Sequence, residues 1–190
     1  MGHPQKQWLD EREYLARETG AAERHEYVAG VAYAMAGAGE RHNRIAGNVY
    51  AALRAAARGT GCGAYMSDMK LRIAGGRAYY YPDVMLSCEP ATPETIFKDA
   101  PCVVAEVLSP STAAVDLREK LQAYNAIESL RYYLLVDSER VSVSYRVRAA
   151  NGEWLATTLD AGERLEIECG PVRASLALAE IYEDSGLPPG

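Results

Sequence analysis

The chain has 190 residues, of which 48% are hydrophobic and 24% are charged, and its formal net charge at pH 7 is −6. This length and composition exclude a largely disordered chain and predict one domain with a substantial core. No apolar run reaches the length of a membrane span, and the first residues lack the apolar core of a signal peptide. We therefore expect a cytoplasmic protein with no membrane partner.

Charge is distributed unevenly along the chain. Residues 24–77 carry eight basic and three acidic side chains, whereas acidic side chains dominate from residue 151 onward. Because phosphate contacts require Lys and Arg, the net charge disfavours nucleic-acid binding. The basic segment nevertheless leaves room for a phosphate-binding face, and scattered solvated charges account for the composition equally well.

The cysteines lack the paired spacing of a metal site, and most have apolar neighbours. This pattern predicts reduced, packed thiols of a cytoplasmic protein and argues against a disulfide scaffold. The residues concerned are Cys62, Cys88, Cys102 and Cys169.

Periodicity and turn residues predict the secondary structure. Helical spacing of apolar residues indicates helices over residues 8–18, 40–58, about 113–127 and 175–182. Short β-branched or alternating runs between turn residues indicate strands at 25–28, 31–35, 62–66, 69–73, 79–81, 84–86, 103–108, 131–136, 140–147, 154–159 and 165–167. The turn at Gly75 and Gly76 favours a meander that continues into the strand after Pro82.

These elements predict a single domain with three parts. An N-terminal helix and hairpin occupy residues 8–37, the core occupies 40–148, and C-terminal strands with a short helix occupy 153–182. Helices and strands are mixed along the chain, which indicates an α/β or α+β domain built on a mixed β-sheet flanked by helices.

A carboxylate interrupts each of two apolar strands. Asp83 starts the run before Val84, and Glu106 lies inside V-V-A-E-V-L. A charge in such a strand is costly unless a cation or hydrogen bonds satisfy it. Mg²⁺ prefers carboxylates and other hard oxygens, and the carbonyl of Val107 is a natural further ligand. Alternatively, Asp83 only ends a turn and Glu106 pairs with a buried arginine, which is harder to sustain for Glu106.

Lys120 lies on the helix that follows the Glu106 strand. Asp116 precedes it by four residues, and a helical pair at that spacing contributes only about 0.2–0.5 kcal/mol. That interpretation explains the pair but not its placement after the carboxylate strand. A lysine on this helix could lean over the strand ends, orient a water molecule and offset charge on a pentavalent phosphate.

The chain contains P-D, then a strand with E-V-L-S-P-S-T, and then D-x-x-x-K and Tyr124. This combination resembles the Uma-type restriction endonuclease domain family. This family belongs to the PD-(D/E)XK nuclease superfamily. The segments H-E-Y-V-A-G-V-A-Y-A-M, R-H-N-R-I-A-G-N-V, S-L-R-Y-Y-L-L-V-D and V-S-V-S-Y-R extend the likeness over most of the chain. The resemblance implies a restriction-endonuclease-like fold with Asp83 and Glu106 as metal ligands.

The resemblance also directs attention to other positions. Leu108 stands where the superfamily pattern has lysine, so Lys120 is expected to substitute for it. Glu26 matches an acid that completes the metal shell in related nucleases, although pairing with Arg24 explains it equally well. His42 is a weaker candidate for phosphate contact or base catalysis, because a lone histidine there is more often a capping or surface residue.

The resulting expectation is a Mg²⁺-dependent endonuclease that hydrolyses DNA phosphodiester bonds with a metal-activated water, with Mn²⁺ as a substitute ion. Asp83, Glu106, Lys120 and Glu26 would be catalytic, and Asp83, Glu106 and Val107 would bind the metal. The superfamily habit implies a homodimer. The alternative is a nucleic-acid- or protein-binding module that keeps the fold without turnover, which Leu108 and the acidic net charge favour.

Overall fold

The computed structural model describes residues 8–35, 37–90, 92, 94–109 and 116–188. Within these ranges its helices are α1 (Glu11–Glu18), α2 (Glu40–Ala57), α3 (Asp116–Asn125) and α4 (Leu178–Ile181). Its strands are β1 (His25–Val28), β2 (Val31–Ala34), β3 (Gly63–Met66), β4 (Lys70–Ile73), β5 (Ala78–Tyr80), β6 (Val84–Ser87), β7 (Phe97–Lys98), β8 (Pro101–Leu108), β9 (Tyr132–Asp137), β10 (Val143–Arg148), β11 (Trp154–Thr158), β12 (Arg164–Cys169) and β13 (Val172–Ala177). No helix among the described residues is long and apolar enough to cross a membrane.

The strands form two sheets and a separate hairpin. The main sheet has six strands in the order β11-β10-β9-β8-β6-β3, the small sheet has five in the order β2-β1-β5-β4-β7, and β12 pairs with β13. In the main sheet β8 and β9 are parallel, whereas β6 and β8 are antiparallel. A parallel pair requires a crossover connection, and α3 lies in the crossover between β8 and β9. The predicted mixed sheet with flanking helices is therefore confirmed.

Helix α2 packs on one face of the main sheet. Its apolar residues recur at helical spacing, and Ile45, Val49 and Leu53 are fully buried against that face. The β12–β13 hairpin and α4 pack against α2 and close this part of the core. The long amphipathic helix predicted from the sequence thus covers the sheet as expected.

The other face of the main sheet meets α3 and the small sheet. Met85 and Val104 of the main sheet pack in one cluster with Leu71 of the small sheet and Tyr124 of α3. The small sheet is held in turn by α1, whose Tyr14 stacks on Tyr27 with ring centroids 4.8 Å apart. This second layer brings β1 and α3 to the face on which the candidate site lies.

Two predictions are wrong, one about a strand connection and one about the helix expected over residues 175–182. The strand before Pro82 does not continue as a meander, because β5 belongs to the small sheet and β6 to the main sheet. Proline lacks the backbone N–H that a continuing ladder needs, so the chain changes sheets there. In addition, residues 172–177 form β13, and only Leu178–Ile181 is helical. The alternating burial of Val172–Ala177 shows the strand period that the alanine-rich composition obscured.

The predicted reduced thiols are also contradicted, because Cys62 bonds to Cys88 and Cys102 bonds to Cys169. Sequence spacing could not reveal these pairs, since 26 and 67 residues separate the partners. Strand pairing brings the first pair together: Gly63 lies opposite Ser87, so the flanking cysteines become neighbours. The helix predicted from about Ala113 is observed from Asp116, and its expected first turn lies outside the described residues.

Candidate active site

Asp83 and Glu106 lie on neighbouring antiparallel strands of the main sheet. Val84 pairs with Ala105 in the β6–β8 register, so the next positions along the strands, Asp83 and Glu106, face each other. Side chains at opposed positions point to the same face of a sheet. The backbone N–H of Val107 donates to Oδ2 of Asp83 at 2.7 Å, which fixes the carboxylate at the strand end.

Glu106 is buried, with 7% of its surface exposed. The hydroxyl of Tyr124 donates to its Oε1 at 2.7 Å, and the Lys120 Nζ lies 3.7 Å from the same oxygen. Tyr124 and Lys120 are four residues apart on α3 and therefore share a helix face. Burial raises the pKa of Glu106 to about 7; the charge of Lys120 opposes this rise, and the negative charge of Asp83 adds to it.

Lys120 bridges the two layers of the domain. Its Nζ lies 2.8 Å from Oε1 of Glu26 on β1, and only about a tenth of each side chain is exposed (11% and 10%). Arg24, the alternative partner of Glu26 suggested by the sequence, lies 3.1 Å from Asp68, and the ion pair seen for Glu26 is with Lys120. Glu26 is therefore linked to Glu106 through the ammonium of Lys120.

His42 lies in the first turn of α2, beside Asp83. Its Nε2 is 3.2 Å from Oδ2 of Asp83, and each side chain is 17% exposed. The hydrogen bond to Asp83 raises the pKa of His42, burial opposes this, and contact with the Val107 backbone adds to the rise. The sequence alone favoured a surface role for His42, because nothing in a one-dimensional pattern links residue 42 to residue 83.

Leu108 on β8 and Tyr124 on α3 also lie at the face that carries Glu106. A side chain at position 108 lies on the same side of β8 as Glu106, since alternate residues of a strand share a face. The ammonium expected there is instead brought to that face from α3 by Lys120. Tyr124 stands out in the sequence only as part of a motif, and its four-residue spacing from Lys120 is the available signal for a role at Glu106.

The donor set fits a hard divalent cation. Within the residues described, no group of three or more His, Cys, Asp and Glu side chains is arranged to hold a metal ion unaided. Mg²⁺ does not need such a cage, because one or two carboxylates with water and substrate oxygens normally hold it. Burial is the main cause of the raised pKa of Glu106 and the negative charge of Asp83 adds to it, so a cation beside the two acids would favour the ionised carboxylate.

Opposed acids at the end of a mixed sheet, with a lysine leaning in from the adjacent helix, define a restriction-endonuclease-like domain. The sequence profile of the family described as "Putative restriction endonuclease" (Uma2) matches residues 11–179. The chain belongs to this family.

Known proteins similar to this chain include two from Synechocystis sp., both described as uncharacterized. The protein slr1290 is 35% identical over 175 residues, covering 92% of this chain and 91% of its own length. The protein sll1609 is 36% identical over 167 residues, covering 84% of this chain and 92% of its own.

A crystal structure titled as "a putative nuclease belonging to DUF820" from Anabaena variabilis ATCC 29413 has the same fold, with a TM-score of 0.72. That similarity covers 92% of this chain and 97% of the other at 13% identity, so it concerns the fold alone.

Proposed function

We propose that this protein is a Mg²⁺-dependent endonuclease that hydrolyses phosphodiester bonds in DNA and accepts Mn²⁺ in place of Mg²⁺. The observation that carries the proposal is the convergence of Asp83, Glu106 and Lys120 on one face of the main sheet. Membership of a restriction-endonuclease-like family supports nuclease chemistry. The choice of metal and of DNA rests on the hard-oxygen donor set and on the resemblance of the motifs.

Asp83 and Glu106 would hold the metal ion, with the carbonyl of Val107 as a further ligand. When bound, such an ion polarises a phosphoryl oxygen and lowers the pKa of a coordinated water. Glu106 must lose its proton to act as a ligand, and its pKa of about 7 places that step near neutral pH. Tyr124 assists, because its hydrogen bond favours the ionised carboxylate.

Lys120 would orient the attacking water and offset the charge that develops on the phosphate. Its ammonium is already directed to the carboxylates, 3.7 Å from Glu106 and 2.8 Å from Glu26. Donors fixed before the reaction are effective because they need no reorganisation as charge develops. Glu26 acts by holding this ammonium in place, and His42 acts in the same way on the Asp83 carboxylate.

The test is nicking of supercoiled plasmid DNA with Mg²⁺ or Mn²⁺. The wild-type protein should nick the plasmid, and Asp83→Ala and Glu106→Gln should each reduce the rate by about 10²-fold or more. Glu153→Gln is the matched control, because this carboxylate is exposed in the turn between β10 and β11, at the opposite edge of the main sheet from β6. Activity that persists in Asp83→Ala would contradict the proposal, and parallel assays on single-stranded DNA and RNA define the substrate.

The second candidate is a nucleic-acid- or protein-binding module without turnover. Leu108 in place of the usual lysine and the net charge of −6 favour it. Calorimetric titration with Mn²⁺ separates the two functions without an activity assay. A nuclease site should bind the ion in a manner that Asp83→Ala abolishes, whereas a binding module should show no uptake at millimolar metal.

A homodimer belongs to the same proposal, because paired sites would allow both strands of a duplex to be cut. Light scattering during size-exclusion chromatography, with and without DNA, measures the mass directly. A monomeric mass under both conditions would remove this part of the proposal.

A further inference from the structure

Both disulfides lie beside one cavity, away from the candidate active site. The cavity has a volume of about 430 Å³, and its lining includes Cys88, Cys102 and Cys169. The Sγ of Cys88 lies 3.7 Å from the carbonyl oxygen of Cys169, so the two bridges are close neighbours. Cys88 follows Asp83 by five residues, which at the rise of an extended strand is roughly 16 Å.

The two bridges differ in exposure. Cys88 is exposed and Cys62 is half-buried, whereas Cys169 retains only 1% of its surface. Exchange of a disulfide requires a thiolate to approach a sulfur atom directly, so access decides which bridge reacts. The Cys62–Cys88 bridge therefore contains the most exposed of the four cysteines, Cys88, whereas the Cys102–Cys169 bridge joins a half-buried cysteine to a buried one.

The Cys62–Cys88 bridge lies at one end of the four-residue ladder between β3 and β6, next to the Gly63–Ser87 pair. The other end of that ladder is the Met66–Val84 pair, which adjoins Asp83. Strand β3 is the terminal strand of the sheet and has β6 as its only strand neighbour among the described residues. The bridge thus fastens an edge strand that borders the site.

We propose that Cys62–Cys88 is a reversible thiol–disulfide exchange site for dithiol reductants, and that its opening loosens β3 from β6. One thiolate of the dithiol attacks the Sγ of Cys88, the bond between the two cysteines breaks, and Cys62 leaves as a thiolate that takes up a proton. The second thiolate of the reductant then displaces Cys88, which also becomes a thiol. The dithiol is oxidised to its disulfide, and two electrons pass to the protein.

The first experiment locates the reactive bridge. The folded, oxidised protein is treated with a fixed concentration of dithiothreitol, free thiols are trapped with N-ethylmaleimide at increasing times, and the labelled peptides are identified by mass spectrometry. Cys62 and Cys88 should become labelled roughly tenfold faster than Cys102 and Cys169. Equal rates at both bridges, or faster opening of Cys102–Cys169, would overturn the proposal.

The second experiment measures the effect on the sheet by hydrogen exchange. Reduction should speed exchange of the amides in 63–66 and 84–87 by roughly tenfold, because the edge strand opens locally more often. The double variant Cys62→Ser with Cys88→Ser should show this faster exchange without reductant. The matched variant Cys102→Ser with Cys169→Ser should still respond to dithiothreitol at β3. Unchanged protection of β3 in the first variant would refute the structural effect, and neither readout depends on nuclease activity.

Discussion

The buried Glu106 should make the stability of the metal-free protein depend on pH. Its pKa is about 7 in the folded protein against an ordinary value of 4.5. A carboxyl group with a raised pKa binds its proton more tightly in the folded state. The contribution of this proton binding to the free energy of unfolding is fully present below about pH 4.5 and is lost as pH rises through 7. A tenfold difference in proton affinity between the folded and unfolded states corresponds to about 1.36 kcal/mol, so the rise from 4.5 to about 7 corresponds to about 3 kcal/mol in all.

The Glu106→Gln variant tests this reasoning. Glutamine cannot ionise, so the variant should lose that part of the pH dependence, which is roughly 2 kcal/mol between about pH 5 and pH 8. The assay is urea unfolding with a chelator present, in which the free energies of unfolding of the two proteins are compared across this range. The free energy of unfolding of the variant should therefore increase relative to that of the wild type as pH rises. Glu128→Gln, a change at an exposed glutamate, controls for a general charge effect.

Parallel pH profiles for the wild type and Glu106→Gln would refute the assignment of a raised pKa to Glu106. They would mean that the carboxylate is already compensated by its neighbours in the absence of metal. The Mn²⁺ titration at each pH gives an independent reading. Binding to the wild type should strengthen as pH rises through 7, because the proton and the metal compete for the same carboxylate.

Three further substitutions probe the groups around this carboxylate. Tyr124→Phe removes the hydrogen bond to Glu106 and should weaken Mn²⁺ binding near pH 7 by roughly tenfold, as judged by calorimetry, with recovery at higher pH. Lys120→Met should lower the plasmid-nicking rate by about 10²-fold while Mn²⁺ binding persists, whereas an equal loss of both would show that Lys120 only supports the structure. Glu26→Gln weakens the hold on Lys120 and should cost about 1–3 kcal/mol of unfolding free energy in urea, and an unchanged midpoint would contradict the buried pairing.

Local patterns predicted the elements that carry a strong periodic signal. Helix α2 is one, because its apolar residues recur at helical spacing and bury one continuous stripe. The pairing of strands into two sheets was not predictable in this way, since the partner of a strand is chosen by tertiary packing. Only the last three residues of β13, 175–177, were predicted as helix, because residues such as Leu176 and Ala177 suit both structures and pairing with β12 decided the outcome.

The site was predictable where a residue conflicts with its surroundings. Glu106 stood out because an ionised group inside an apolar strand demands compensation. Its companions were less visible, because Glu26, His42 and Tyr124 come from three different elements and their chemistry depends on distances that the sequence does not contain. Disulfide partners are hidden for the same reason: only the strand register shows that Cys62 and Cys88 are adjacent.

The β6–β8 ladder contains an irregularity between Leu86 and Ser87, beyond which the pairing shifts by one residue. A single-residue insertion between Asp83 and Leu86 would rotate the following side chains to the opposite face and separate Asp83 from Glu106. An insertion beyond the irregularity would be absorbed where the strands already depart from regular pairing. Insertions and deletions should therefore be tolerated beyond the irregularity, on the side of the cavity. They should be selected against before it, on the side of Asp83 and Glu106.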